Sequence, residues 1–238
     1  MRIRYWIAQG LLVSSLVALG SGVYQLNRVL EAQPIVDRAP GEVGPLPNGR
    51  ALRVLALGFE RLVADLFWLR TVAYVGDDEV AAVGYPAARD LAQLVTDVDP
   101  AFTSVYVHMN TVLESLAGRP DAAIELLEKG MRHNDYWRLN FLQGYNYFFH
   151  KRDYARAAEQ MRLASEKGGP DYLPLLVTRL YTESGSLDTA ISFVEARLAQ
   201  ALTPEESQML EGRLQVLREA RESGQIESLR LKSARGAA

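Results

Sequence analysis

The chain has 238 residues, of which 48% are hydrophobic and 23% charged, with a formal net charge of −3 at pH 7 and no cysteine. That is an ordinary globular composition, and the slight acidic balance argues against a nucleic-acid binder, which carries a basic domain or stripe. The absence of cysteine excludes disulfides, thiolate zinc sites, iron–sulfur clusters, a cysteine nucleophile and a lipid-modified cysteine.

Residues 1–24 read as an N-terminal transmembrane anchor or signal sequence. Arg2 and Arg4 precede Trp6–Tyr24, which runs 19 residues without a charge. About 20 apolar residues are needed for a helix to cross ~30 Å of hydrocarbon, and Trp6 and Tyr24 bracket the run where amphipathic rings favour the interface. The two arginines should stay cytoplasmic, which sends the rest of the chain outward. Two readings stay open: an uncleaved anchor, preferred because the run is long for a signal peptide, or a signal peptide cleaved near Ala18, Gly20 or Gly22. The expected location is the bacterial inner membrane, single-pass, with a cytoplasmic N-terminus and a periplasmic repeat domain.

Residues 25–50 hold Pro40, Pro45 and Pro47 beside Gly41, Gly44 and Gly49, the composition of a linker. The next stretch, 51–76, is apolar enough to invite a second membrane span. Arg53, Glu60, Arg61, Asp65 and Arg70 would each cost about 2.5–3.5 kcal/mol at a bilayer centre. Leu55, Phe59, Leu62, Leu66, Leu69 and Ala73 recur at intervals of three or four, so the pattern predicts the core-facing side of a soluble helix. Trp68 is read as packing, and residues 77–84 as an extended connection.

From here the chain repeats. Ala88, Ala123, Ala157 and Ala190 are spaced 35, 34 and 33 residues apart, each inside a helical segment preceded by a turn and another apolar helix. A fixed period of this size means stacked helical hairpins. The segment 203–238 reads as a capping helix and basic tail. Thr203 and Glu206 have capping-box spacing, Pro204 suits the first helical position, and Met209, Leu210, Leu214 and Leu217 fall on one face.

The second helices resemble those of the tetratricopeptide-repeat family. Each has a small alanine followed four residues later by a larger apolar residue: Ala123 and Leu127, Ala157 and Met161, Ala190 and Val194. Asp99–Pro100 matches the family's closing proline, Gly118, Gly185 and Asp153–Tyr154 its turn between helices, and Tyr181 its first-helix tyrosine. Departures are Ala92 in place of the large residue of the first repeat, Gly130 and Arg197 at later small apolar positions, Thr111 and Thr178 where glycine is usual, and one extra residue between Gly144 and Asp153. The resemblance implies an all-α fold over 51–202, a right-handed α-solenoid of about four hairpins. It also implies a partner-binding groove lined mainly by first helices, with Arg138, Phe141, Tyr145 and Phe148 turned inward. Tyr172, Leu175 and Arg179 fall at the equivalent positions of the next repeat, and Val105, His108 and Val112 at those of the preceding one. Aromatic and arginine side chains at such positions suit interface hot spots; the other reading of the aromatics in 136–149 is partial burial against neighbouring helices.

Nothing points to catalysis. His108, His133 and His150 are far apart and lack metal-site spacing. There is no phosphate loop and no nucleophile elbow. The expected function is that of a membrane-tethered adaptor or scaffold binding a protein or peptide partner in the cell envelope, with no enzyme activity, cofactor or metal. The alternative is a fixed structural subunit of an envelope pilus, secretion or transport assembly.

Overall fold

The computed structural model describes residues 39–200 and 203–224, together with Ser21. The backbone divides between Ala39 and Pro40, and every element described below follows that division. Apart from Ser21, the expected membrane segment lies outside the described residues, as does the basic tail after Gly224; among the described residues no helix is long and apolar enough to cross a membrane. The described residues form eleven α-helices and two π-helical turns, with no strand.

α1 (Gly49–Leu55) is capped by Asn48, whose side chain accepts the Ala51 amide at 3.0 Å. It ends where Leu57 and Gly58 take positive φ, so the helix expected through 51–76 is two. α2 (Glu60–Val75) is the longer part, and α3 (Asp78–Ala82) occupies the expected connection, capped by Asp77. α4 (Ala88–Val98) follows.

Helices then alternate: α5 (Thr103–Thr111), α6 (Pro120–Met131), α7 (Trp137–Asn146), α8 (Tyr154–Glu166), α9 (Leu173–Glu183), α10 (Leu187–Leu198) and α11 (Pro204–Ser223). They pack as successive pairs, α2 with α4, α5 with α6, α7 with α8 and α9 with α10, and each pair packs on the next. Second helices α4 and α6 also touch, as do first helices α5 and α7. Side chains 36 residues apart meet across pairs: Arg89 with Glu125, Asn110 with Asn146 and Glu114 with His150. The four marker alanines are all fully buried. A methyl group there lets neighbouring helices approach closely, which explains why they recur.

Two features set the phase of this packing. The chain turns from first to second helix through a left-handed residue, Gly118 (φ 63) and Gly185 (φ 83), but at the middle pair Arg152 (φ 53) takes that conformation. A side chain there costs on the order of 1–2 kcal/mol. α5 and α7 also end in π turns, Val112–Leu116 and Tyr147–Lys151, each of which accommodates one more residue than an α turn. The second accounts for the extra residue before Asp153, and α9 has no such turn.

The core falls into two apolar clusters. One runs from α2 to the start of α7, the other from the end of α7 to α11. Where they meet, α7 buries three amides, Asn140, Gln143 and Asn146, beside Leu139 and Gly144. Asn146 Nδ2 donates to Asn110 Oδ1 at 2.8 Å, and Asn140 Nδ2 to Gln160 Oε1 at 2.8 Å. Gly130, a departure from the repeat pattern, is explained by Tyr106, whose ring lies 2.8 Å from where a Cβ would stand.

Two expectations need correcting. The predicted core face of 51–76 is the solvent face: Leu55, Phe59, Leu62, Leu66 and Leu69 are exposed, while Ala64, Thr71 and Tyr74 are buried. Both sides of this helix are apolar, so periodicity alone chose the wrong one. On α11, Leu210, Leu214 and Leu217 are buried as expected but Met209 is half exposed. Thr203 caps that helix, accepting the Glu206 amide at 3.2 Å, while the Glu206 carboxylate turns to Arg197 at 2.9 Å.

The described part of the Pro/Gly segment is held in place. Tyr74 Oη donates to the Gly41 carbonyl at 3.2 Å and accepts the Ala87 amide at 2.8 Å, and Arg70 donates to the Val43 carbonyl at 2.6 Å. Val43 and Leu46 pack on the first core cluster.

Candidate functional site

A groove crosses three successive first helices. α2 supplies Trp68, Val72 and Val75, α5 supplies Val107, His108, Thr111 and Val112, and α7 supplies Arg138, around a cavity of about 460 Å³. A second hollow of about 640 Å³ shares Val107, His108 and Arg138 and adds Ser104, Asn134 and Tyr136. The floor is apolar and the rim polar: Met109 and Val112 are buried, Trp68 and Val75 half-buried, and His108, Thr111 and Arg138 exposed. Such a mixture of apolar lining with a few placed polar groups is what ligand-binding concavities present.

Local geometry fixes the rim. Trp68 is wedged between the Phe102 ring at 6.2 Å and the His108 ring at 6.0 Å. His108 Nδ1 donates to the Ser104 carbonyl at 2.7 Å, one turn back on α5. Arg138 makes no ion pair among the described residues, so its guanidinium is available to a carboxylate.

The other residues expected in the groove divide. Tyr145 shares a helical face with Arg138, seven residues on, and its ring stacks on Phe149 at 5.6 Å with an interplanar angle of 6°. Both rings are solvent-facing, and His150 closes the cluster edge-on while its Nε2 lies 2.6 Å from Glu114 Oε2. Phe141 is edge-on to Trp137 at 6.1 Å, and Phe148 to Tyr154 at 5.8 Å. Phe141 and Phe148 are partly buried against the second core cluster, so they support the helix more than they present a surface. Tyr172 is exposed at the head of α9 but is not brought to the groove. Arg179, further along α9, stands by the capping helix, where burial first and then the Arg179 charge push the Arg213 guanidinium down while Glu183 opposes them. Among the α5 equivalents, His108 lines the rim, Val112 the floor, and Val105 is buried.

Trp68 packs on the first core cluster as expected and also lines the groove; Val72 was not expected there, because an apolar side chain on this helix gives no sign of which side it takes. The usable signal was on α5, where Ser104, His108, Thr111 and Ser115 form a polar line at helical spacing. No group of histidines and carboxylates that could hold a metal ion occurs among the described residues.

No family model, curated protein or solved structure matches this chain.

Proposed function

We propose that this chain is a membrane-tethered repeat adaptor of tetratricopeptide type, an α-solenoid of about four hairpins with α11 as its cap. Its groove across α2, α5 and α7 binds an extended protein segment in the cell envelope, and no catalysis is involved. The observation that carries this reading is the groove itself: an apolar floor under a rim where Arg138 has no ion pair among the described residues. A fitting partner offers an apolar side chain for the floor beside Trp68 and a carboxylate for Arg138. The solenoid reading is supported by contacts between alternate helices and by side-chain meetings at a separation of 36. The tether reading rests on Trp6–Tyr24, and tethering would raise the partner's effective concentration.

The test is photocrosslinking in the native membrane from a benzoylphenylalanine placed at His108 or Tyr145, with Glu128 on α6 as the comparison position. The expected result is a defined adduct from 108 and 145 that is lost in Arg138→Glu, while the variant keeps its helical circular dichroism. Adducts that persist in Arg138→Glu, or that form equally from 128, would overturn the groove and favour a fixed structural subunit.

A further inference from the structure

α2 carries large apolar residues on both of its sides, yet only one side is covered. Ala64, Thr71 and Tyr74 face the core, and the opposite side gives Leu62, Leu66 and Leu69 to water, the last 65% exposed. α1 and the turn after it continue the strip with Leu55 (72%), Leu57 (85%) and Phe59. Single exposed apolar residues are ordinary, but a contiguous run of them marks an interaction surface.

Its border at the α1 end is basic, while the acids Asp77, Asp78 and Glu79 follow the far end of α2. Arg61 and Arg70 flank the strip along α2, with Asp65 as the acid on that exposed face. Beside α1, Arg50 and Arg53 open into a cleft of about 890 Å³ that also takes in Lys129, Arg132 and His133. Of the two carboxylates lining it, Glu60 and Asp97, Asp97 is already held by Lys129 at 2.5 Å. Arg50, Arg53 and Arg132 make no ion pair among the described residues. Local cationic excess in a chain of net charge −3 is a segregated charge, and it adjoins the apolar strip.

We propose that α1 and the outer face of α2 form a ridge that lies on an anionic phospholipid surface, leucines and Phe59 in the acyl boundary and Arg50 and Arg53 at the phosphates. Apolar burial plus attraction to anionic lipid is how interfacial helices bind. A second copy fits less well, since arginines on both flanks would meet arginines across a two-fold axis. The inference rests on reading Trp6–Tyr24 as membrane-inserted.

Because the chain lacks cysteine, single sites can be labelled cleanly in the full-length protein. An environment-sensitive fluorophore is attached to Leu57→Cys, Leu66→Cys or, as control, Met209→Cys on α11. Each is reconstituted in vesicles of phosphatidylcholine alone or mixed equally with phosphatidylglycerol, with brominated acyl chains as quencher. Labels at 57 and 66 should be quenched several-fold more than at 209. Arg50→Glu with Arg53→Glu should reduce that quenching in the anionic vesicles, an arginine near such a surface being worth roughly fivefold in binding. Labels at 57 and 66 as water-exposed as at 209 would overturn the ridge. So would labels buried at high protein concentration without lipid quenching, the mark of a second copy. Alkaline extraction reports the anchor separately: a chain released by it after its labels were quenched keeps the ridge and loses the span.

Discussion

At the C-terminal end, α11 turns Leu210, Leu214, Leu217 and Ala220 inward and gives water Glu211, Gln215, Arg218, Glu219 and Glu222. At the N-terminal end, α2 buries Ala64, Thr71 and Tyr74 and gives water Leu62, Leu66 and Leu69. A helix at the surface ordinarily carries polar residues on its outer face. α11 does so apart from Met209 and Val216, whereas leucines fill much of that face on α2. The contrast teaches that an apolar period identifies a face without saying what covers it. On α11 the cover is α10, and on α2 it has to come from outside the described residues.

The sharpest way to break the comparison is to shorten one leucine at each end. Leu217→Ala, at a fully buried position, should cost about 2–5 kcal/mol, whereas Leu66→Ala should stay within about 0.5 kcal/mol. Urea unfolding followed by circular dichroism in detergent measures both. A large loss from Leu66→Ala would mean that the ridge is covered within the protein.

Glycines give a smaller version of the same contrast. Gly130→Ala would press a methyl against the Tyr106 ring, 2.8 Å away, and should cost about 1–3 kcal/mol. Gly212→Ala, on α11 with nothing within 4 Å, should gain about 0.5–1 kcal/mol. Paired thermal melts decide the two signs.

Midway along the chain, Asp153 caps α8. Its carboxylate accepts the Arg156 amide at 2.9 Å, and Arg156 Nε at 2.6 Å. The backbone hydrogen bond foremost, opposed by burial and aided by the guanidinium, holds its pKa below the usual carboxylate range. Asp153→Ala should cost about 1 kcal/mol at neutral pH. A depressed folded-state pKa contributes stability that is complete above the unfolded value, about 3.9, and is lost as pH falls through the folded one. The gap between the two proteins should therefore be constant from pH 7 to 5 and narrow below about 4, as unfolding curves at stepped pH would record. A gap that widened in acid would contradict the cap's ionic part.

Much of the helical framework was legible because its determinants are local. Marker alanines, the turn glycines Gly118 and Gly185, and the Thr203–Pro204 start of α11 each act within a few residues. Arg138 and Tyr145 were legible as surface groups for the same reason. The buried amides were not: Asn140, Gln143 and Asn146 sit among aromatics, and only the packing of α5 and α8 decides that they, rather than Tyr145 or Phe149, face inward. Nor was the covered side of α2, since leucines fit either side and the choice depends on α4 and on the Gly41 and Val43 carbonyls that Tyr74 and Arg70 reach. The π turn before Arg152 left a trace in the sequence as a one-residue excess, though its position within the helix depended on the Glu114–His150 contact.

The second π turn acts as a vernier in an otherwise regular ruler. A residue slipped into a straight helix would rotate everything after it by about 100° and unseat the next helix. Confined to one wide turn, the added residue leaves α8 in step with its neighbours and re-aims only the few side chains between. Phe149 and His150 owe their bearings to that local offset, so the outer surface of this protein can be re-pointed by single insertions at helix ends while the stack beneath keeps its count.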